Sequence, residues 1–146
     1  MTPAARLQTA AAVLDEVLRG ARAEQVLTAW GRRARYAGSG DRAAVRDLVY
    51  DALRRRRSYA AMGGAETGRG LMLGRLRALG EDPEAVFTGA RHAPEPLSEA
   101  ERIAGRTPQG AEALDLPDWL WDAFRESLGD RAEAAARALR DRAPVH

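Results

Sequence analysis

The chain contains no cysteine, no lysine and no asparagine, and only two of its 146 residues are histidines. Without cysteine it forms no disulfide bond and offers no thiol nucleophile, and such a composition fits a reducing compartment. Zinc sites in proteins are built from cysteine, histidine and carboxylate ligands. With no cysteine and so few histidines, we predict no metal site in this chain.

Long apolar runs are also absent. No stretch of about 20 apolar residues exists, so the sequence predicts no membrane-spanning helix. The N-terminus lacks the basic and then apolar order of a signal peptide, because the acidic Asp15 and Glu16 interrupt it. We therefore predict a soluble, cytoplasmic protein made of one ordinary domain, or of a small domain with an appendage.

No stretch alternates apolar and polar residues as a half-buried β-strand does. Instead, apolar residues recur at helical spacing between capping and breaking residues. The predicted helices cover residues 3–19, 23–36, 41–57, 65–79, 82–87, 98–104, 117–128 and 131–142. Gly68, Gly70 and Gly74 each weaken the fourth of these by up to about 1 kcal/mol relative to alanine. The predicted fold is all-α: a small antiparallel helical bundle, followed by a connector and two further helices.

The predicted helix over 41–57 has one apolar and one basic side when it is wound at about 3.6 residues per turn. Its apolar side consists of Ala44, Val45, Leu48, Val49, Ala52 and Leu53. Its basic side consists of Arg46, Tyr50, Arg54 and Arg57. Arg55 and Arg56 fall near the apolar edge, where their stems can cover the core while the charged groups stay in water.

All 23 basic side chains are arginines, and they are distributed unevenly. Residues 1–60 contain twelve arginines and six acids, for a net charge of +6, whereas residues 61–146 contain eleven arginines and fifteen acids, for −4. Arginine offers a planar fork that grips a phosphate at two points. The basic half therefore points to an anionic partner. A solvated basic face, partly offset by Asp47 and Asp51, is the alternative.

The candidate binding surface combines phosphate contacts with an aromatic ring. Three arginines of the predicted helix would hold phosphates, and Tyr50 would stack on a base. Three further arginines just before this helix extend the patch. The candidate RNA-binding residues are Arg32, Arg33, Arg35, Arg46, Tyr50, Arg54 and Arg57.

No catalytic constellation is evident in the sequence. No glycine-rich phosphate loop follows a strand, and His92 lies alone in a proline-flanked loop. The acids of Asp15–Glu16 and of Glu81–Asp82 are adjacent in sequence, so they point in different directions. We therefore predict a binding surface, with no catalytic residue and no bound cofactor in this chain.

Two tryptophans flank Leu120 near the end of the chain. They cannot lie on the same side of one helix, so one of them must be more exposed than the other. We expect Trp119 to pack in the core and Trp121 to be partly exposed. An exposed tryptophan on a terminal helix would suit docking onto a further domain, because such residues anchor interfaces.

Three stretches, in this order and at this spacing, resemble one family. Residues 6–20 begin with arginine, continue with an Ala, Val and Leu stripe and end with glycine. Residues 41–54 have an acidic start, a basic residue, two apolar positions, an acid, then Leu-Val-Tyr and a closing Ala-Leu-Arg. Residues 116–144 open with Leu-Pro-x-Trp-Leu and end in proline. Together they resemble the N-terminal region of bacterial ribosomal RNA (cytosine-5) methyltransferases of the RsmB/Sun group.

The resemblance implies an abbreviated NusB-like helical RNA-binding domain over 1–104, a linker over 105–116, and a helical segment over 117–146 that leads into a methyltransferase domain. In that family, S-adenosylmethionine and the catalytic cysteines belong to the later domain, so the chain is expected to be a fragment of a longer enzyme. The sequence departs from the family at Asp51, where glycine is usual, and over 59–115, where the later helices of a complete NusB-like domain are missing.

The expected function is that of an RNA-binding module that positions ribosomal RNA for a catalytic domain outside this chain. Two alternatives remain open. In the first, the basic helix docks on the acidic surface of a partner protein or of the parent enzyme's own domains. In the second, the chain is a free-standing NusB-type antitermination factor, which fits less well because the C-terminal half of such a factor is missing.

Overall fold

The fold is that of a computed structural model, which describes residues 1–142. The proline expected to close the last motif, Pro144, lies outside the described residues, as does His146. The helices are α1 (Pro3–Leu18), α2 (Ala23–Arg33), α3 (Ser39–Arg54), α4 (Arg56–Gly63), α5 (Gly68–Ala78), α6 (Glu99–Ile103), α7 (Asp118–Leu128) and α8 (Ala132–Arg142). No strand occurs within the described part of the chain, so the predicted all-α class is confirmed.

Helices α1, α3 and α5 form the centre of the bundle, and α2 covers one side of it. The start of α1 follows from local sequence: the Ala5 N–H donates to Thr2 Oγ1 over 3.0 Å, and Pro3 occupies the first turn. The fully buried side chains of this core include Leu14, Val45, Val49, Leu71 and Leu73. None of the helices in residues 1–142 is both long and apolar enough to span a bilayer.

The helix predicted over 41–57 is in fact two helices, and this is a correction. Helix α3 ends at Arg54, and Arg55 adopts φ −116° and ψ 28°, which interrupts the helix before α4 begins. The break turns the chain so that Tyr59 and Ala61 become buried. An uninterrupted helix would carry these two residues away from the core along the axis of α3. Arg57 therefore does not share a helix face with the arginines of α3.

Helices α4 and α5 approach so closely that their backbones are in contact. A Cβ atom at Gly63 would lie 1.8 Å from the Gly70 carbonyl oxygen, and one at Gly74 would lie 1.9 Å from the Tyr59 carbonyl oxygen. Gly68 packs against α1 in the same way, since a Cβ atom there would lie 1.9 Å from the Ala11 carbonyl oxygen. The glycines that weaken α5 as an isolated helix are therefore required for its packing.

Asp51 joins three elements. Its carboxylate accepts from the Tyr59 hydroxyl over 2.7 Å and from the guanidiniums of Arg55 and Arg75, each over 3.1 Å. Burial and this hydrogen bond raise the pKa of Tyr59 above its ordinary value. The charge of Asp51 is thus used inside the fold, at the junction of α3, α4 and α5.

The last two helices form a second, smaller core with the segment before them. Leu114, Leu116 and Ala136 are buried there, and Leu120, Trp121 and Phe124 pack against them. The segment 105–116 contains one short 3-10 turn, Glu112–Leu114, and its Leu114 and Leu116 are buried in this second core. The division of the chain into domains stays a prediction.

The expectation that Trp119 packs in the core was wrong, whereas Trp121 is partly exposed, as expected. Trp119 is 70% exposed, whereas Trp121 packs against the second core. Helix α7 begins at Asp118. Its inward side consists of Leu120, Trp121 and Phe124, and Trp119, in its first turn, points away from that side.

Candidate nucleic-acid interface

The end of α2 and the loop after it present three of the predicted arginines. Ala34 and Ala37 are buried at the base of this loop, and the Ala37 N–H donates to the Ala34 carbonyl over 3.0 Å. Anchoring of the two alanines turns Arg32, Arg33 and Arg35 outward, and all three are exposed. Within residues 1–142, no carboxylate forms an ion pair with any of these three. Several other arginines of residues 1–60 do have such partners. These three guanidiniums are available to an external anion.

A groove of about 540 Å³ lies between α2 and α3, next to this loop. Its lining residues are Leu27, Thr28, Trp30, Gly31, Arg32, Arg42, Ala43 and Arg46. We call it the α2–α3 groove. Arg42 crosses it: its guanidinium donates to the Ala37 carbonyl over 3.1 Å, and its stem passes over Gly31. The groove therefore brings together the predicted residues Arg32 and Arg46. Arg42 of α3 also lines it and reaches the loop through its bond to Ala37.

Arg46 and Tyr50 are both bound to one carboxylate. Glu24, in the first turn of α2, accepts from the Arg46 guanidinium and from the Tyr50 hydroxyl. The hydrogen bond from the Tyr50 hydroxyl has the largest effect on the pKa of Glu24, and the one from Arg46 the next largest. Both lower this pKa below its ordinary value of 4.5. Burial and the bond to Glu24 raise the pKa of Tyr50. Both predicted contacts are therefore occupied by an internal anion, although Glu24 itself is exposed.

Arg54 and Arg57 lie in a different place from the α2–α3 groove. Arg54 is eight residues beyond Arg46 on α3, or about 12 Å along the helix. Arg57, on α4, donates to the Leu116 carbonyl and to Asp118, the latter over 3.0 Å. A second groove of about 470 Å³ contains both arginines, together with Leu53, Arg56, Asp115, Pro117 and Asp118. The predicted patch is therefore divided in two. In the part near α2 the three outer arginines have no carboxylate partner among residues 1–142, whereas in the second groove Arg57 is paired with Asp118 and Arg54 forms no ion pair there.

Three residues of this surface were missed by the sequence reasoning. Arg42 could have been found, because it lies four residues before Arg46 on the same helix and so shares its face. Tyr36 could also have been found, because it follows Arg35 directly in a polar loop; it is 73% exposed. No sequence pattern pointed to Glu24, because its partners Arg46 and Tyr50 lie 22 and 26 residues further along the chain.

No group of three or more histidines and acids within residues 1–142 is placed to hold a metal ion. The chain matches no protein-family model, no curated protein and no solved structure.

Proposed function

We propose that this chain is an RNA-binding module of a ribosomal RNA (cytosine-5) methyltransferase, and that it positions RNA for an S-adenosylmethionine-dependent domain outside this chain. The observation that carries the RNA-binding part is the set of three exposed arginines, Arg32, Arg33 and Arg35, that have no acidic partner among residues 1–142. They adjoin the α2–α3 groove, which adds Arg42 and Arg46. The methyltransferase part rests on the sequence resemblance alone.

The mechanism proposed is electrostatic. Arginine guanidiniums bind phosphate oxygens in pairs, and such contacts fix the position of a nucleic acid without reading its sequence. Phosphate binding releases counterions, so affinity falls as salt rises. If about four phosphates of single-stranded RNA are bound, the plot of log affinity against log salt has a slope of roughly −3.

Replacing the three outer arginines tests this proposal. We expect the triple variant Arg32→Ala, Arg33→Ala, Arg35→Ala to bind RNA about tenfold more weakly at low salt, because three exposed phosphate contacts are lost. We also expect its salt slope to be shallower by roughly 2. Filter binding of a structured RNA that contains single-stranded loops, over a range of salt concentrations, measures both quantities.

The matched control removes three arginines elsewhere. Arg19, Arg91 and Arg131 are also exposed, and the triple alanine variant at these positions has the same net charge as the test variant. We expect it to bind RNA almost as the unaltered chain does. Equal weakening by the two triple variants would show that net charge alone governs binding and would contradict a defined surface.

Glu24 is expected to limit RNA binding by occupying Arg46. We expect Glu24→Gln to bind RNA about threefold more tightly, because loss of this weak, exposed ion pair frees Arg46 to bind phosphate. Its salt slope is expected to steepen by roughly 0.7, since one more phosphate contact becomes available. Asp47→Asn is the control. Asp47 is exposed and lies on α3, as Arg46 does, but it accepts no hydrogen bond from Arg46. An identical gain in both variants would contradict a specific role for Glu24.

A second candidate function, a protein-interaction module, is favoured by Trp119. This ring is 70% exposed in the first turn of α7, where it would suit an interface with the catalytic domain of the parent enzyme. In that case the chain binds no RNA at low salt, and Trp119→Ala weakens its binding to that domain. RNA binding that survives Trp119→Ala and fails in the triple arginine variant favours the first function.

A further inference from the structure

Tyr36 differs from the other two tyrosines of the chain. The hydroxyls of Tyr50 and Tyr59 donate to Glu24 and Asp51, respectively. The Tyr36 hydroxyl has no hydrogen-bond partner within residues 1–142, and the residue is 73% exposed. An aromatic ring so exposed gains little from the fold of its own chain, because its apolar area remains in water.

The loop that carries Tyr36 is held firmly on both sides. The Arg35 N–H donates to the Arg33 carbonyl over 3.1 Å, and the Ala37 N–H donates to the Ala34 carbonyl over 3.0 Å. The Ala37 carbonyl in turn accepts from Arg42 of the α2–α3 groove. The ring is thus presented outward from a fixed turn, and a fixed aromatic ring loses little conformational entropy on binding.

The surroundings of this ring are strongly basic. Arg35 precedes it directly, Arg33 lies three residues before it, and Arg42 joins its loop to the groove. Proteins that bind single-stranded nucleic acid combine such a basic surface with rings on which bases stack. Arg32, Arg42 and Arg46 line the α2–α3 groove, so basic side chains continue from the loop of Tyr36 into it.

We propose that the loop of Tyr36 binds one unpaired nucleotide of RNA, with its base stacked on Tyr36 and its flanking phosphates on Arg33 and Arg35. The proposal rests on the RNA-binding function proposed above and defines its substrate class. In a duplex both faces of each base are covered by neighbouring base pairs, so no base can stack on the ring. The surface therefore selects single-stranded segments over duplex RNA.

The test compares a 12-nucleotide unstructured RNA with the 12-base-pair duplex of the same sequence, by fluorescence anisotropy at low salt. We expect the unaltered chain to bind the single strand more tightly than the duplex. Tyr36→Ala should weaken single-strand binding by roughly 5- to 150-fold, the range that loss of one stacked base produces. Its duplex affinity should change less than about twofold, and its salt slope should not change, because no phosphate contact is removed.

Tyr36→Phe is the matched variant, because it keeps the ring and loses only the hydroxyl. We expect it to retain single-strand affinity within about twofold. Single-strand affinity that is unchanged in Tyr36→Ala, or duplex binding as tight as single-strand binding in the unaltered chain, would overturn this inference while the RNA-binding function stood. If the unaltered chain bound neither RNA at low salt, the proposed function and the inference would both be overturned.

Discussion

Gly74→Ala is expected to lower the free energy of unfolding by about 3 kcal/mol or more, at the upper end of what overpacking costs. The added methyl group would lie 1.9 Å from the Tyr59 carbonyl oxygen and 2.6 Å from its carbonyl carbon. These atoms belong to the backbone of α4, so no side-chain rotation can relieve the overlap. Either α4 and α5 must separate, which opens the core at Leu71 and Leu73, or one of the helices must distort.

Equilibrium urea unfolding followed by circular dichroism measures this loss. The matched control is Gly40→Ala in the first turn of α3, where an added Cβ has no atom within 4 Å outside its own neighbours. There we expect no loss of stability and a gain of up to about 1 kcal/mol, since alanine favours a helix more than glycine does. A Gly74→Ala protein as stable as the Gly40→Ala protein would contradict the close packing of α4 on α5.

The start of α1, the packing at Gly74 and the break at Arg55 show which parts of the fold the sequence could predict. Helix starts depend on signals within a few residues, so the helix predicted from residue 3 does begin at Pro3. The role of Gly74 depends on a second helix that packs against it, and sequence pattern shows only its cost to the helix. The break at Arg55 is similar, because local periodicity favours one helix and the burial of Tyr59 decides against it.

The candidate interface shows the same limit. Composition and spacing predicted a basic surface near α3, and Arg32, Arg33 and Arg35 are exposed. Which arginines are already bound by acids depends on contacts between distant segments, such as Arg46 with Glu24. For the same reason the sequence favours Tyr50 over Tyr36 as the stacking ring, because a helical wheel shows the direction of a side chain and not the residue that it contacts in the fold.

Asp115 is expected to hold the last two helices on the bundle, and its replacement is the second large effect. Its side chain is 2% exposed, and it accepts from the Ser58 N–H and hydroxyl, each over 2.8 Å, and from Arg140 over 2.9 Å. Ser58 is the third residue of α4, whose N-cap residue Arg55 supplies no side-chain cap. A carboxylate from a distant segment therefore caps α4 and neutralises an arginine of α8 at the same time.

We expect Asp115→Asn to cost about 3 kcal/mol, because the mostly buried Arg140 loses its close ion-pair partner and keeps only the exposed Asp141, 3.9 Å from its Nε atom. Asparagine suits the substitution, since position 115 has a left-handed backbone with φ 58° that asparagine tolerates. The control is Asp118→Asn, whose carboxylate is 81% exposed and pairs with Arg57 at the surface. There the expected loss is below about 1 kcal/mol.

Urea unfolding measures both losses, and limited proteolysis locates them. If Asp115 fixes the second core to α4, Asp115→Asn should expose residues 105–117 to cleavage under native conditions, while residues 1–104 remain resistant. Rapid cleavage there should not occur in Asp118→Asn, which leaves the bonds to Ser58 and Arg140 intact. Equal stability and equal resistance of the two variants would mean that Leu114, Leu116 and their apolar neighbours hold the C-terminal helices without help from the carboxylate.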